Sequence, residues 1–106
     1  MKDKNSLLLA KEWFQKGDID YEFAELGLRE TEHYGQICFL AQQAAEKYLK
    51  GFLIAFKTSP KKIHSIAILA QECSKLYPDF KEFIQKGKTL DRYYTYTLSC
   101  CGFLSV

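Results

Sequence analysis

Apolar residues recur along this chain at helical spacing, and polar breaks divide the recurrence into four stretches. In the first, Leu7, Ala10, Phe14, Gly17, Tyr21, Ala24 and Leu28 alternate steps of three and four. That is the seam of a helix ending near Leu28 to Glu30, with Asn5-Ser6 as its expected N-cap. Gly17 costs an isolated helix on the order of 1 kcal/mol against alanine. Its place in the seam therefore predicts a neighbouring helix that passes close. Asp18, Asp20, Glu22 and Glu25 line much of the remaining surface.

The polar link RETEHYG leads into a second helix from about Tyr34 to Lys57. Ile37, Leu40, Ala41, Ala44, Ala45, Tyr48, Leu49, Phe52, Leu53 and Phe56 cover more than half of its circumference, which predicts the most buried helix. Phe39, Gln43, Glu46 and Lys50 fall on the opposite edge, with Lys47 beside them. TSPKK is a loop in which Pro60 stops any helix. His64 or Ser65 then caps a third helix carrying Ile66, Leu69, Ala70, Cys73 and Leu76. Tyr77-Pro78-Asp79 breaks the pattern again, with Asp79 as N-cap of a fourth helix, DFKEFIQKGKTLDRYY. Strand-like alternation is absent until the final residues. The expectation is a single all-α domain over 1–106, an antiparallel bundle with short connections.

Composition narrows the chemistry. The net charge of +2 gives no global electrostatic footprint for nucleic acid, so any such contact needs a local patch. Lys57, Lys61 and Lys62 around Pro60 form the best one, with plain surface charge as the default alternative. Four cysteines (Cys38, Cys73, Cys100 and Cys101) include no C-x-x-C pair, and only two histidines are present. No metal site and no cofactor are expected, and the thiols read as reduced cysteines of a cytoplasmic protein. The apolar run Leu7 to Ala10 is too short for a signal sequence, and nothing approaches the roughly 18 apolar residues of a membrane span.

Several segments together resemble a known family. Trp13, Gly17, Asp20, Tyr21 and Ala24 follow a W-x3-A-x2-D-L-x2-A pattern. Phe39, Gln43, Ala44, Ala45, Glu46, Lys47, Leu49 and Lys50 follow F-x3-Q-A-A-E-K-x-L-K. His64, Ile66 and Leu69 follow H-x-L-x2-L, and Leu90-Asp91-Arg92-Tyr93-Tyr94 resembles the opening of a final block. Over about residues 7–97 the chain thus resembles the HEPN domain. The resemblance implies a bundle of four to five helices, typically dimeric, in a family whose prokaryotic members commonly sit beside a minimal nucleotidyltransferase as toxin–antitoxin pairs. Nucleotide binding has been inferred for some members, and many others are metal-independent endoribonucleases with an R-x4–6-H motif.

The chain departs from that pattern in two places. No histidine follows Arg92, and Arg29 and His33 are separated by three residues, one too few, in the wrong linker. Residues 98–106 replace the R-Y-P ending of many relatives with an atypical, apolar, cysteine-rich tail, so the last helix is expected to be missing or altered.

The candidate ligand-binding residues are Gln43, Glu46, Lys47, Lys50, His64, Arg92, Tyr93 and Tyr94. His64 is either a base or nucleotide ligand, or a structural group at a helix start bonded near Glu46 or Asp20. Glu46 and Lys50 either serve a partner or ligand, or form an ordinary i,i+4 pair worth tenths of a kcal/mol. Arg92 offers a guanidinium to phosphate, and Tyr93 and Tyr94 offer faces for base stacking or finish the core. In the family, the paired nucleotidyltransferase can also modify a tyrosine of its partner. The leading expectation is a nucleotide- or RNA-binding component of a toxin–antitoxin-like pair, homodimeric, working with a minimal nucleotidyltransferase. The alternative is a metal-independent endoribonuclease in which Arg92 stabilises the scissile phosphate and His64 is the general base. A helical interaction module without ligand is the third reading.

Overall fold

The computed structural model describes residues 4–60 and 62–92. They form α1 (Lys4–Glu30), α2 (Tyr34–Ala55), α3 (Ile66–Leu76), a 3-10 turn (Pro78–Lys81) and α4 (residues 82–92), with no strand among the described residues. The all-α bundle expected from the periodicity is the fold. Only residues 31–33 separate α1 from α2, so the two fold back on each other as a helical hairpin, and α3 packs on α2. Tyr93, Tyr94, the 98–106 tail and the expected change in the last helix lie outside the described residues.

Small residues set the α1–α2 contact. Ala10, Gly17 and Ala24 are the buried positions of α1, all from the predicted seam. A Cβ on Gly17 would lie 2.9 Å from the Tyr48 ring, which is the close passage its position implied. The larger seam members behave differently. Leu7, Tyr21 and Leu28 remain exposed, and Phe14 is only partly covered, its ring lying where a Cβ on Gly51 of α2 would stand.

The main core lies on the other side of α2, where Leu49 and Leu53 meet Ile66, Leu69 and Cys73, flanked by Phe52, Phe80 and Leu90. The Phe52 and Phe80 rings pack in a tilted arrangement, 4.7 Å between centroids. The Cys73 thiol donates to the Leu49 carbonyl at 3.6 Å, and burial, helped by the Glu72 charge, pushes its pKa up to about 12. It is a packed, inert thiol. Leu76, the last apolar residue in the pattern of α3, is exposed at its last turn. Gly87 brings α4 against the start of α3, where a Cβ would come within 2.7 Å of the Ala67 backbone nitrogen.

Three caps differ from expectation. Asn5 and Ser6 are helical residues of α1, which is already turning at Lys4, so neither has the non-helical backbone of an N-cap. Asp79 does not cap α4. Pro78 starts a 3-10 turn from Tyr77, Asp79 falls inside it, and α4 follows without a break. Hydrogen-bonded there to Asp79, the Tyr77 phenol is held above its ordinary pKa. Finally, α2 stops at Ala55 rather than Lys57. Thr58 N–H bonds to the Leu53 carbonyl and Lys57 N–H to that of Ile54, each at 2.9 Å, and Lys57 has φ 62°. That is a Schellman turn with lysine at the position glycine usually fills.

Candidate functional site

Positions 42, 46 and 50 lie one helical turn apart on α2 and place Gln42, Glu46 and Lys50 in a single row. All three are buried. The sequence placed Glu46 and Lys50 on the edge away from the core. The junction between α2 and α3 crosses that edge, and Trp13 of α1 closes it from the other side. Gln42 Nε2 donates to the His64 carbonyl at 3.2 Å and its Oε1 accepts from Gln43 Nε2 at 2.9 Å. Lys50 Nζ donates to Glu46 Oε2 at 2.9 Å, with each side chain under a tenth exposed. The i,i+4 pairing weighed from the sequence is real, but it is a desolvated pair rather than a surface one.

The same Glu46 oxygen lies 3.1 Å from His64 Nδ1, while the imidazole remains 57% exposed. Glu46 therefore fixes one ring nitrogen and leaves the other side of the ring to solvent. Its second oxygen, Oε1, is buried without a hydrogen-bond partner among the described residues. Lys50 Nζ also lies 5.8 Å from the Trp13 ring centroid, within cation–π reach.

The residues after His64 are held by α4. Ser65 is the N-cap of α3, its hydroxyl oxygen accepting from Ile68 N–H at 3.2 Å. The same hydroxyl donates to Asp91 Oδ2 at 2.7 Å, and the Asp91 carboxylate accepts from Ile66 N–H at 2.7 Å and Ala67 N–H at 3.2 Å. An anion thus sits where the orphan N–H groups and dipole of α3 favour one. His64 precedes Ser65 and Arg92 follows Asp91, so the two candidate catalytic residues flank one hydrogen bond. Arg92 is exposed.

The other sequence candidates divide. Lys47 pairs with Asp20 of α1, one element away from the Glu46 cluster. Beside it Tyr48 donates to Asp18 at 2.5 Å. Burial, then the Asp18 hydrogen bond and nearby charge, pushes the Tyr48 pKa up to about 12. Lys57 and Lys62 are exposed. Sequence reasoning missed Gln42, Asp91 and Trp13 as members of the site. The four-residue step from Glu46 could have signalled Gln42, whereas Asp91 acts across 24 to 26 residues of chain. Among the described residues no three His, Cys, Asp or Glu side chains group as a metal would need, and no helix is long and apolar enough to cross a membrane.

The row on α2, the histidine at the α2–α3 junction and the aspartate on α4 are the segments that carried the sequence resemblance. The family profile described as HEPN domain matches residues 10–97. The chain belongs to the HEPN family. Comparison with curated proteins and with solved structures yields no match. In this HEPN domain the glutamine–glutamate–lysine row is internal to one chain. It ties α2 to the junction through His64, and α4 is tied to the same junction through Asp91.

Proposed function

We propose that this HEPN protein binds nucleotide or RNA at the α2–α3 junction, as a homodimer working beside a minimal nucleotidyltransferase in a toxin–antitoxin-like pair. The observation that carries the reading is the Ser65–Asp91 bond, which has an exposed, oriented imidazole as the chain neighbour of one partner and an exposed guanidinium as the chain neighbour of the other. Glu46, neutralised by Lys50, sets the ring without presenting its own charge to an incoming phosphate. Arg92 supplies the planar cation that phosphate recognition favours. For a second copy, α1 offers Ile19, Phe23 and Leu26, exposed on the face opposite its buried seam.

The test is binding of a fluorescent oligoribonucleotide and of a mononucleotide, with chelator present and RNA integrity followed in parallel. Binding without cleavage, weakened about tenfold or more by either His64→Ala or Arg92→Ala, is the expected result for removal of one charge-assisted contact. Cleavage abolished by both substitutions would establish the ribonuclease instead. Failure to bind either probe would leave a helical interaction module. Co-purification with a nucleotidyltransferase encoded beside it tests the pairing.

A further inference from the structure

α1 carries its charges in the order that its own dipole disfavours. A helix is stabilised by anions near its N-terminus and by cations near its C-terminus. Before Gly17 stand Lys4, Lys11 and Lys16, with Glu12 as the one anion. After it stand Asp18, Asp20, Glu22, Glu25 and Glu30, with Arg29 as the one cation. Asp18 and Asp20 are engaged by Tyr48 and Lys47 of α2. Glu22, Glu25 and Glu30 remain exposed, as do the three lysines. This order costs an isolated helix stability and becomes complementary beside a helix running the other way. We propose that two copies of the chain pair through antiparallel α1 helices, the basic half of each against the acidic half of its partner. The inference rests on the homodimer reading above and gives that dimer its orientation and register.

The register follows from the residues that share the outward side. With Ala10, Gly17 and Ala24 buried against α2, helical geometry turns Leu8, Gln15, Ile19 and Leu26 to the opposite side. Lys11 and Glu22 lie along one edge of that line. Gly17 is the midpoint of Lys4–Glu30, so antiparallel helices that meet there overlap over their whole length. Leu8 then stands opposite the partner's Leu26, and Gln15 opposite the partner's Ile19. A two-fold axis across such a pair keeps each edge beside the same edge of the other copy. Lys11 therefore meets the partner's Glu22, twice in each dimer. Arg29 falls beside the partner's Lys4, at the open ends of the pair where solvent screens them.

A second observation concerns shape. Glu22, Glu25, Leu26 and Arg29, at i, i+3, i+4 and i+7, border a shallow depression of about 350 Å³ together with Phe23. Four residues at that spacing form the hole that receives a side chain from a facing helix. In the antiparallel register the entering side chain is the partner's Leu8, a residue exposed in the single copy. A parallel pair instead sets like halves together, the basic against the basic and the acidic against the acidic. Because α3 packs on α2 rather than on α1, the antiparallel pair leaves one junction site per chain, each on an outer flank.

Charge reversal tests the orientation by sedimentation equilibrium, with circular dichroism confirming that each variant is folded. Lys11→Glu and Glu22→Lys each set like charges together at two places in the dimer, and each should weaken self-association about tenfold. Mixed in equal amounts, the two variants should associate about as tightly as the parent, because every reversed group then meets a complementary one. The double variant Lys11→Glu with Glu22→Lys should also regain the parent's affinity. A dimeric parent indifferent to both substitutions overturns the proposal and moves the interface elsewhere. So does a mixture that stays as weak as its components, since in a parallel pair positions 11 and 22 never meet. A parent that is monomeric at every concentration rejects the homodimer reading itself, and this orientation with it.

Discussion

At position 57 one side chain stands where backbone geometry asks for none. A left-handed conformation brings Cβ toward the following carbonyl, and glycine escapes that contact. Lys57→Gly should therefore stabilise the fold by about 1 kcal/mol, measured as a raised urea midpoint with unchanged slope. A fall in stability would mean that the lysine makes contacts worth more than the strain. This position was not legible in the sequence, because helical periodicity carried α2 through Lys57 and gave no sign that the helix would stop at Ala55. Glu46 shows the same limit in another form. Its identity marked a family motif, but its burial follows from the segment that crosses above it. Helical spacing locates a residue on a face and says nothing of what later covers that face.

At the scale of elements, a buried ion pair within α2 and the polar contacts between α1 and α2 each have a measurable signature. The Glu46–Lys50 pair is desolvated, so removing one partner strands the other. Lys50→Met should cost about 3–5 kcal/mol, and the double change Glu46→Leu with Lys50→Met should recover most of that loss. Equilibrium unfolding of the two single variants and the double variant gives the coupling, and additive losses would show that the pair does not act as a unit. The α1–α2 hairpin is held by Lys47 with Asp20 and by Tyr48 with Asp18. Tyr48 titrates at about 12 in the folded protein against 10.0 for an ordinary phenol. Above the ordinary value the unfolded chain loses this proton and the folded chain keeps it. Its contribution is therefore complete below pH 10 and falls away as pH rises toward 12. Phenolate absorbance should show a late component that Tyr48→Phe removes. Helix number and order were legible because apolar periodicity is local. The caps at Asn5-Ser6 and Asp79 were misread because polar residues suited to capping recur where the chain is already turning. Asp91 caps α3 from α4, so no local signal could announce it.

For the whole molecule, α1 raises a question that one copy of the fold does not resolve. Its inward line is built from Ala10, Gly17 and Ala24, while its outward line carries Leu8, Ile19, Phe23 and Leu26, all exposed. At 27 residues, α1 extends for about 40 Å, so this line is a long surface rather than an isolated apolar side chain. Single exposed apolar residues need no account, but a row at i, i+4 and i+7 (Ile19, Phe23, Leu26) is the pattern of a helix that meets another helix. Glu22, Glu25 and Arg29 border the row, so both charge signs needed for self-complementary rim contacts are present in one chain. The homodimer proposed above would use this face. Phe23→Glu places a charge in the middle of the row without touching any residue of the α1–α2 contact. Sedimentation velocity should then show the dimer of the parent protein replaced by monomer, with helicity by circular dichroism and the thermal midpoint nearly preserved. A parent protein that sediments as monomer at every concentration would leave this face without its proposed occupant. A variant that remains dimeric would move the interface to another surface.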